Sequence, residues 1–173
     1  MGGRWGVKNG RGLGDQGVTG APGASQPESA EPRLRALLVV GARQVGVLWA
    51  AASLAEFVPE VLKGAFDVVT AHWNNAEQLE RAYAMNLDLI LIELNSQTLY
   101  GHNLIVAIRG RPELARVPIL ILSGHNAQLP GGQALRQLLS SLPDFPHDFL
   151  ETPPLMDELL GRALALARAR RGT

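Results

Sequence analysis

The sequence predicts an α/β fold: a five-stranded parallel sheet, doubly wound, with helices on both faces. Three observations predict it. Short apolar runs and longer amphipathic ones alternate five times from Leu34 onward. The strand-like runs are apolar almost throughout rather than in strict alternation, as strands covered on both faces are. Right-handed crossovers between such strands then favour a sandwich of order 2-1-3-4-5.

The elements follow in order. Residues 1–32 are rich in Gly, carry Pro22, Pro27 and Pro32, and lack apolar periodicity. They cannot bury enough surface to offset the entropy of ordering them, so a disordered tail is expected over 1–32 and a folded domain over 33–173. Leu34–Val40 is the first strand and ends at Gly41. A helical stretch spans about Val45 to Lys63, with Pro59 expected to kink or divide it and Ser53-Leu-Ala-Glu56 forming a capping box for a second segment. Phe66–Ala71 is the second strand. Asn75 has the character of an N-cap for Ala76–Met85, where Ala76, Leu79 and Tyr83 share a face. Leu87–Leu94 is the third strand, followed by a helix from about Asn103 to Arg109. Pro112 and Pro118 bracket the approach to the fourth strand, Ile119–Ser123. A loop over Gly124–Gly132 leads to a helix at about Gln133–Ser141, then a short fifth strand, Asp148–Leu150. The last helix, Leu155–Arg170, places Leu155, Leu159, Ala163, Leu164 and Ala167 along one face.

Composition removes several function classes. Sixteen basic residues balance sixteen acidic ones, so no global field attracts nucleic acid or an anionic membrane. The chain has no cysteine, which excludes disulfides, thiolate metal sites and cysteine nucleophiles. No apolar run approaches the roughly 20 residues needed to cross a bilayer. The N-terminus has no signal-peptide apolar core, so a cytoplasmic protein is the expectation. Gly12-Leu-Gly14-Asp-Gln-Gly17 matches a dinucleotide-binding pattern, but no strand precedes it, so the match is rejected.

One carboxylate, Glu93, stands near the C-terminal end of the third strand, where open α/β sheets place their chemistry. Ser123 ends the fourth strand, but Ile121-Leu-Ser-Gly-His125 is no nucleophile elbow. His72, His102, His125 and His147 are scattered without metal-ligand spacing; His72 and His125 could flank the same sheet edge. Trp73 is either a staple for the helix after it or an exposed binding anchor. With no nucleophile–base pair in view, no enzyme activity is expected.

From Leu87 to Gly124 the chain resembles the receiver domain of bacterial two-component response regulators. LDLILIEL is similar to that family's third strand, and Gly101, eight residues past Glu93, takes the place of the glycine after its phosphorylation loop. GRPELARVPILILSG resembles the family's approach to the fourth strand, with Ser123 at its Ser/Thr position. HDFLETPP resembles the fifth-strand stretch, and FDVVTA the second strand. The resemblance covers about residues 34–171, weakest over 41–65, and implies a flavodoxin-like, receiver-like fold.

In that family a third-strand aspartate accepts a phosphoryl group from a histidine kinase. Two acids after the first strand help hold Mg²⁺, a fourth-strand Ser/Thr contacts the phosphoryl group, and a fifth-strand lysine pairs with it. Carried over residue by residue, the resemblance puts Glu93 at the phosphoacceptor position, Gly41 and Ala42 at the acid pair and Thr152 at the lysine. No Asp or Glu lies between Arg35 and Glu56, and the chain's lysines are Lys8 and Lys63 alone. Mg²⁺ takes several hard oxygen ligands, and phosphoryl transfer is largely charge neutralisation and positioning. A degenerate site is therefore expected, without Mg²⁺ or any other cofactor. Ser123 and Phe149 keep switch-like positions. Glu93 reads either as a partial phosphomimetic or as a tolerated carboxylate at a solvated strand end, and Phe149 as switch or core.

These readings describe a stand-alone pseudo-receiver that acts by protein–protein interaction. The partners would bind through the face made by the helix at 133–141, the fifth strand and the last helix, a homodimer included; neither nucleic acid nor membrane is expected. Arg162, Arg168, Arg170 and Arg171 make the last helix basic, either as favourable helix-end charge on a solvated face or as a surface for an acidic partner. The alternative function is a small-molecule sensor using the C-terminal edge of the sheet, near Ser123, Glu93 and His125.

Overall fold

The computed structural model describes residues 33–41, 53–94, 100–124, 137, 140 and 146–172, with residues 100–102 described by their backbone only. The predicted tail, Ala42, His125 and nearly all of the helix expected at 133–141 lie outside that set.

Among the described residues stand five strands and four helices: β1 (Leu34–Val40), α1 (Leu54–Leu62), β2 (Phe66–His72), α2 (Ala76–Tyr83), β3 (Leu89–Leu94), α3 (Tyr100–Arg109), β4 (Ile119–Ser123), β5 (His147–Glu151) and the C-terminal helix (Met156–Arg171). The strands form one sheet of order β2-β1-β3-β4-β5, and every neighbouring pair is parallel. The fold class and strand order expected from the alternation of apolar runs are those observed.

Side chains alternate across each strand, so the apolar strands feed two separate cores. Leu37, Val39, Ile90, Ile92, Ile119 and Ile121 pack with Leu79, Ala82 and Tyr83 of α2 and Ile105 and Ile108 of α3. Ala36, Leu38, Leu89, Leu91, Leu120 and Leu122 pack with Val58 and Leu62 of α1 and Leu159, Ala163 and Ala167 of the C-terminal helix. The central strands β1, β3 and β4 are therefore apolar on both sides, because each side has its own pair of helices.

Local chemistry explains most of the boundaries. Asn75 caps α2 as expected: its Oδ1 accepts the Gln78 backbone N–H at 3.0 Å. Gln78 Oε1 in turn accepts the His72 N–H at 3.1 Å, so the third helical residue ties the helix start back to the end of β2. Ser53 precedes α1 but makes no side-chain cap; its carbonyl accepts the Glu56 and Phe57 N–H groups instead. The predicted capping box is not formed. Pro59 lies inside α1 without dividing it. β3 starts at Leu89, two residues later than expected, because Asp88 makes other bonds: its N–H goes to Arg35 O and its carboxylate accepts the Arg35 N–H. β2 runs one residue further, to His72, α3 starts earlier, at Tyr100, and β5 extends at both ends.

The C-terminal helix buries Leu159, Ala163 and Ala167, one residue per turn along a single stripe. Leu164 packs partly against the same core, but Leu155 does not join it: the side chain is 73% exposed at the residue preceding the helix. Asp157 and Glu158 occupy the first turn and Arg168, Arg170 and Arg171 the last, the order that complements the helix dipole.

Candidate functional site at the C-terminal edge of the sheet

The strand register brings the sequence-predicted positions to one edge. Val39 pairs with Ile92, so Gly41, just past β1, reaches the level of Glu93 on β3. Leu94 pairs with Ser123, and Ser123 with Glu151, which sets Thr152 just beyond the same level. Gly41, Glu93, Ser123 and Thr152 thus line the C-terminal ends of four adjacent strands, the usual place for ligands in such sheets.

Their contacts are mostly with one another. Glu93, half-buried, accepts the Gly41 backbone N–H on Oε2 at 3.0 Å. Ser123 is buried, and its carbonyl accepts the Thr152 N–H at 2.9 Å. The Thr152 hydroxyl lies against Gly124: a Cβ built there would come within 3.2 Å of Oγ1. The Thr152–Pro153 peptide is cis. Phe149 is half-buried and packs toward the α2/α3 core, opposite Ile121. Its N–H donates to Asp148 Oδ1 at 2.7 Å and its carbonyl accepts from Arg162 at 3.0 Å. Trp73 packs its half-buried side chain on that same core, so its indole is not a free anchor; its backbone N–H donates to Val40 O at 3.1 Å. Gly101 falls in the first turn of α3, described by its backbone.

These residues do not fit a magnesium ion. A cation takes oxygen ligands, and Gly41 directs an N–H donor at the carboxylate. Among the described residues no group of three or more His, Asp or Glu is placed to hold a metal ion. Among the described residues no ammonium group stands at the Thr152 position; Lys63 sits between α1 and β2, ion-paired with Glu60.

The amide of Gly41 is the contact that residue-type reasoning could not have found, since a backbone donor leaves no signature in sequence. A second missed feature lies at the opposite end of the sheet. Asp88 is 8% exposed and accepts a two-pronged bond from Arg171, Nε and Nη2 each at 2.9 Å, besides the Arg35 N–H at 2.8 Å. Burial pushes the Asp88 carboxyl up, but the Arg171 fork and the Arg35 amide outweigh it and hold the group below its ordinary value. Arg162 is likewise committed, to both Asp148 oxygens at 2.9 Å and to Glu158 at 2.7 Å. Two of the four arginines of the basic last helix are therefore clamps onto the rest of the domain.

No family model matches the sequence, and no curated protein matches it. Solved structures do. The chemotaxis response regulator CheY4 of Vibrio cholerae superposes with a TM-score of 0.58 at 20% identity, covering 78% of this chain and 99% of that one. The receiver domain of the sensor histidine kinase PA1611 of Pseudomonas aeruginosa, solved with a magnesium ion coordinated in its active site cleft, gives 0.56 at 20% identity, covering 78% and 98%. A response regulator from Desulfuromonas acetoxidans gives 0.55 at 23% identity, covering 79% and 98%. Among the described residues no helix is long and apolar enough to cross a membrane. The sheet order, the two helical layers and this likeness together give the chain the fold of response regulator receiver domains.

Proposed function

We propose that this chain is a pseudo-receiver: a receiver-fold module of two-component signalling that works without phosphorylation and acts by binding other proteins. One observation carries the reading. The carboxylate at the acceptor position already has an internal partner, the Gly41 N–H, on the side where an acid pair would hold a cation. On that side the carboxylate meets an N–H donor, where a cation would need further oxygen ligands. Glu93 then serves as a strut between the end of β1 and β3.

In this reading the module is not an enzyme and takes no Mg²⁺ or other cofactor. Its partners are proteins rather than nucleic acid or membrane, it works in the cytoplasm of a bacterial cell, and the surface around β5 and the C-terminal helix receives them. Following tryptophan emission while titrating Mg²⁺ tests the reading, because Trp73 adjoins this edge. Constant emission is expected. A saturable change, abolished in Glu93→Gln, would contradict it.

A further inference from the structure

The two edges of the sheet differ in how their outward main-chain groups are satisfied. Within a strand the N–H and C=O of one residue point to the same side, and successive residues to opposite sides. At β5, Ser123 O accepts the Thr152 N–H, so Phe149 faces outward. Both its groups are taken: Asp148 Oδ1 accepts the N–H at 2.7 Å, and Arg162 donates to the carbonyl at 3.0 Å. At β2, Val40 O accepts the Trp73 N–H and Ala65 O accepts the Leu34 N–H, so Phe66, Val68, Thr70 and His72 face outward. The ends of this edge are sealed too. Arg33 donates to Phe66 O at 3.0 Å, Gln78 Oε1 accepts the His72 N–H at 3.1 Å, and the Asn75 N–H donates to His72 O at 2.9 Å. Between these seals the N–H and C=O groups of Val68 and Thr70 have no partner among the described residues. The usual guards of an idle edge are missing as well: β1 and β2 pair without a bulge from Phe66 to His72, and Val68 to Ala71 hold neither charge nor proline.

We propose that this window on β2 is a docking site for an extended segment of another protein, which adds to the sheet as a further strand. It lies across the sheet from the β5 surface assigned above and takes its partner independently of that surface. The N–H and C=O groups of Val68 and Thr70, two residues apart on one edge, are matched by another extended main chain. A helix cannot match them, because it keeps its own main-chain groups for itself. Val68 and Val69 are half-buried on opposite faces of the sheet, so β-branched or apolar side chains on both alternations of the partner would complete their cover. An ionised side chain laid over them would lose water without gaining a counter-charge, and a proline would lack the amide. The occupant is therefore an uncharged, proline-free, β-branched run. The sealed Phe149 edge offers such a run nothing, so the sheet grows on the β2 side alone.

Fluorescence anisotropy of the full chain with a fluorescein-labelled peptide of alternating valine and threonine, flanked by lysines for solubility, tests this. Saturable binding is expected, with the Val68 and Thr70 amides protected from hydrogen exchange in the complex. N-methylation of the central peptide amides raises the dissociation constant about tenfold or more, because it removes the donors that reach the edge. Thr70→Pro does the same. Its N–H faces outward, so the ladder to β1 stays whole, which an unchanged circular dichroism spectrum checks. Absence of saturable binding overturns the proposal, as does binding that N-methylation leaves unchanged or protection that falls elsewhere on the chain. Self-association of the chain through the same two amides also overturns it, since the occupant is then a second copy. None of these results alters the Mg²⁺ titration, so the docking edge and the phosphorylation-independent reading fail separately.

Discussion

Gly41 donates its backbone N–H to Glu93 Oε2 at 3.0 Å, across the gap between the end of β1 and β3. A side chain and a main-chain group at the C-terminal edge of the sheet here satisfy each other. The bond needs an acceptor oxygen long enough to reach across and an unhindered backbone opposite, and glutamate and glycine supply both.

Replacing Glu93 with Gln keeps an oxygen for that amide and loses its charge, so it should cost no more than about 0.5–1 kcal/mol. Glu93→Ala removes the acceptor and should cost about 1–2 kcal/mol, in the range for charge-assisted bonds at part-buried sites. Urea unfolding of the two variants reads the difference. Amide exchange at Gly41 should accelerate in Glu93→Ala and stay near wild type in Glu93→Gln.

The Asp88 clamp should matter more. Its carboxylate is nearly enclosed, joins β1 to the last turn of the C-terminal helix, and satisfies the Arg35 amide. Asp88→Ala should cost about 2–4 kcal/mol, because it leaves a donor and a cation without their acceptor. Arg171, 43% exposed at the side chain, should lose less on mutation to Ala, about 1 kcal/mol, since water screens and replaces its bonds.

The same clamp sets a pH dependence. The folded Asp88 carboxyl titrates below its ordinary value, so in acid the unfolded chain binds the proton first. Its contribution is full above the ordinary aspartate value of about 3.9 and is lost as pH falls through the lower folded value. Thermal melts of wild type between pH 6 and pH 2 should therefore fall more steeply than those of Asp88→Asn.

Asn75→Ala should cost about 1 kcal/mol through loss of the α2 cap, whereas Ser53→Ala should be near neutral, since Ser53 makes no side-chain cap. Denaturation midpoints of the two variants test the contrast directly.

That contrast also shows what was legible in the sequence. Asn75 and Ser53 both stand before a helical pattern, but only Asn75 has its oxygen within reach of the third helical amide, a matter of backbone angle rather than residue type. The strands read clearly because runs such as ILIL and ALLVV have no polar alternative over several residues, and the sheet order followed from handedness. Leu155 read as core from its spacing, but the helix starts one residue later and turns it outward to solvent. The Asp88–Arg171 clamp was not legible: its partners are separated by most of the domain, and an aspartate next to an apolar run looks like an ordinary strand boundary. At the candidate site Glu93 could be singled out as a lone carboxylate at a strand end, but its partner is a main-chain group, visible only once β1 and β3 are in register.

The central claim is tested most directly by incubating the full chain with acetyl phosphate and Mg²⁺ and measuring its intact mass. No added mass is expected on the wild type, and none on Glu93→Gln treated in the same way. A phosphoryl adduct on the wild type, mapped to Glu93 and absent from Glu93→Gln, would contradict it.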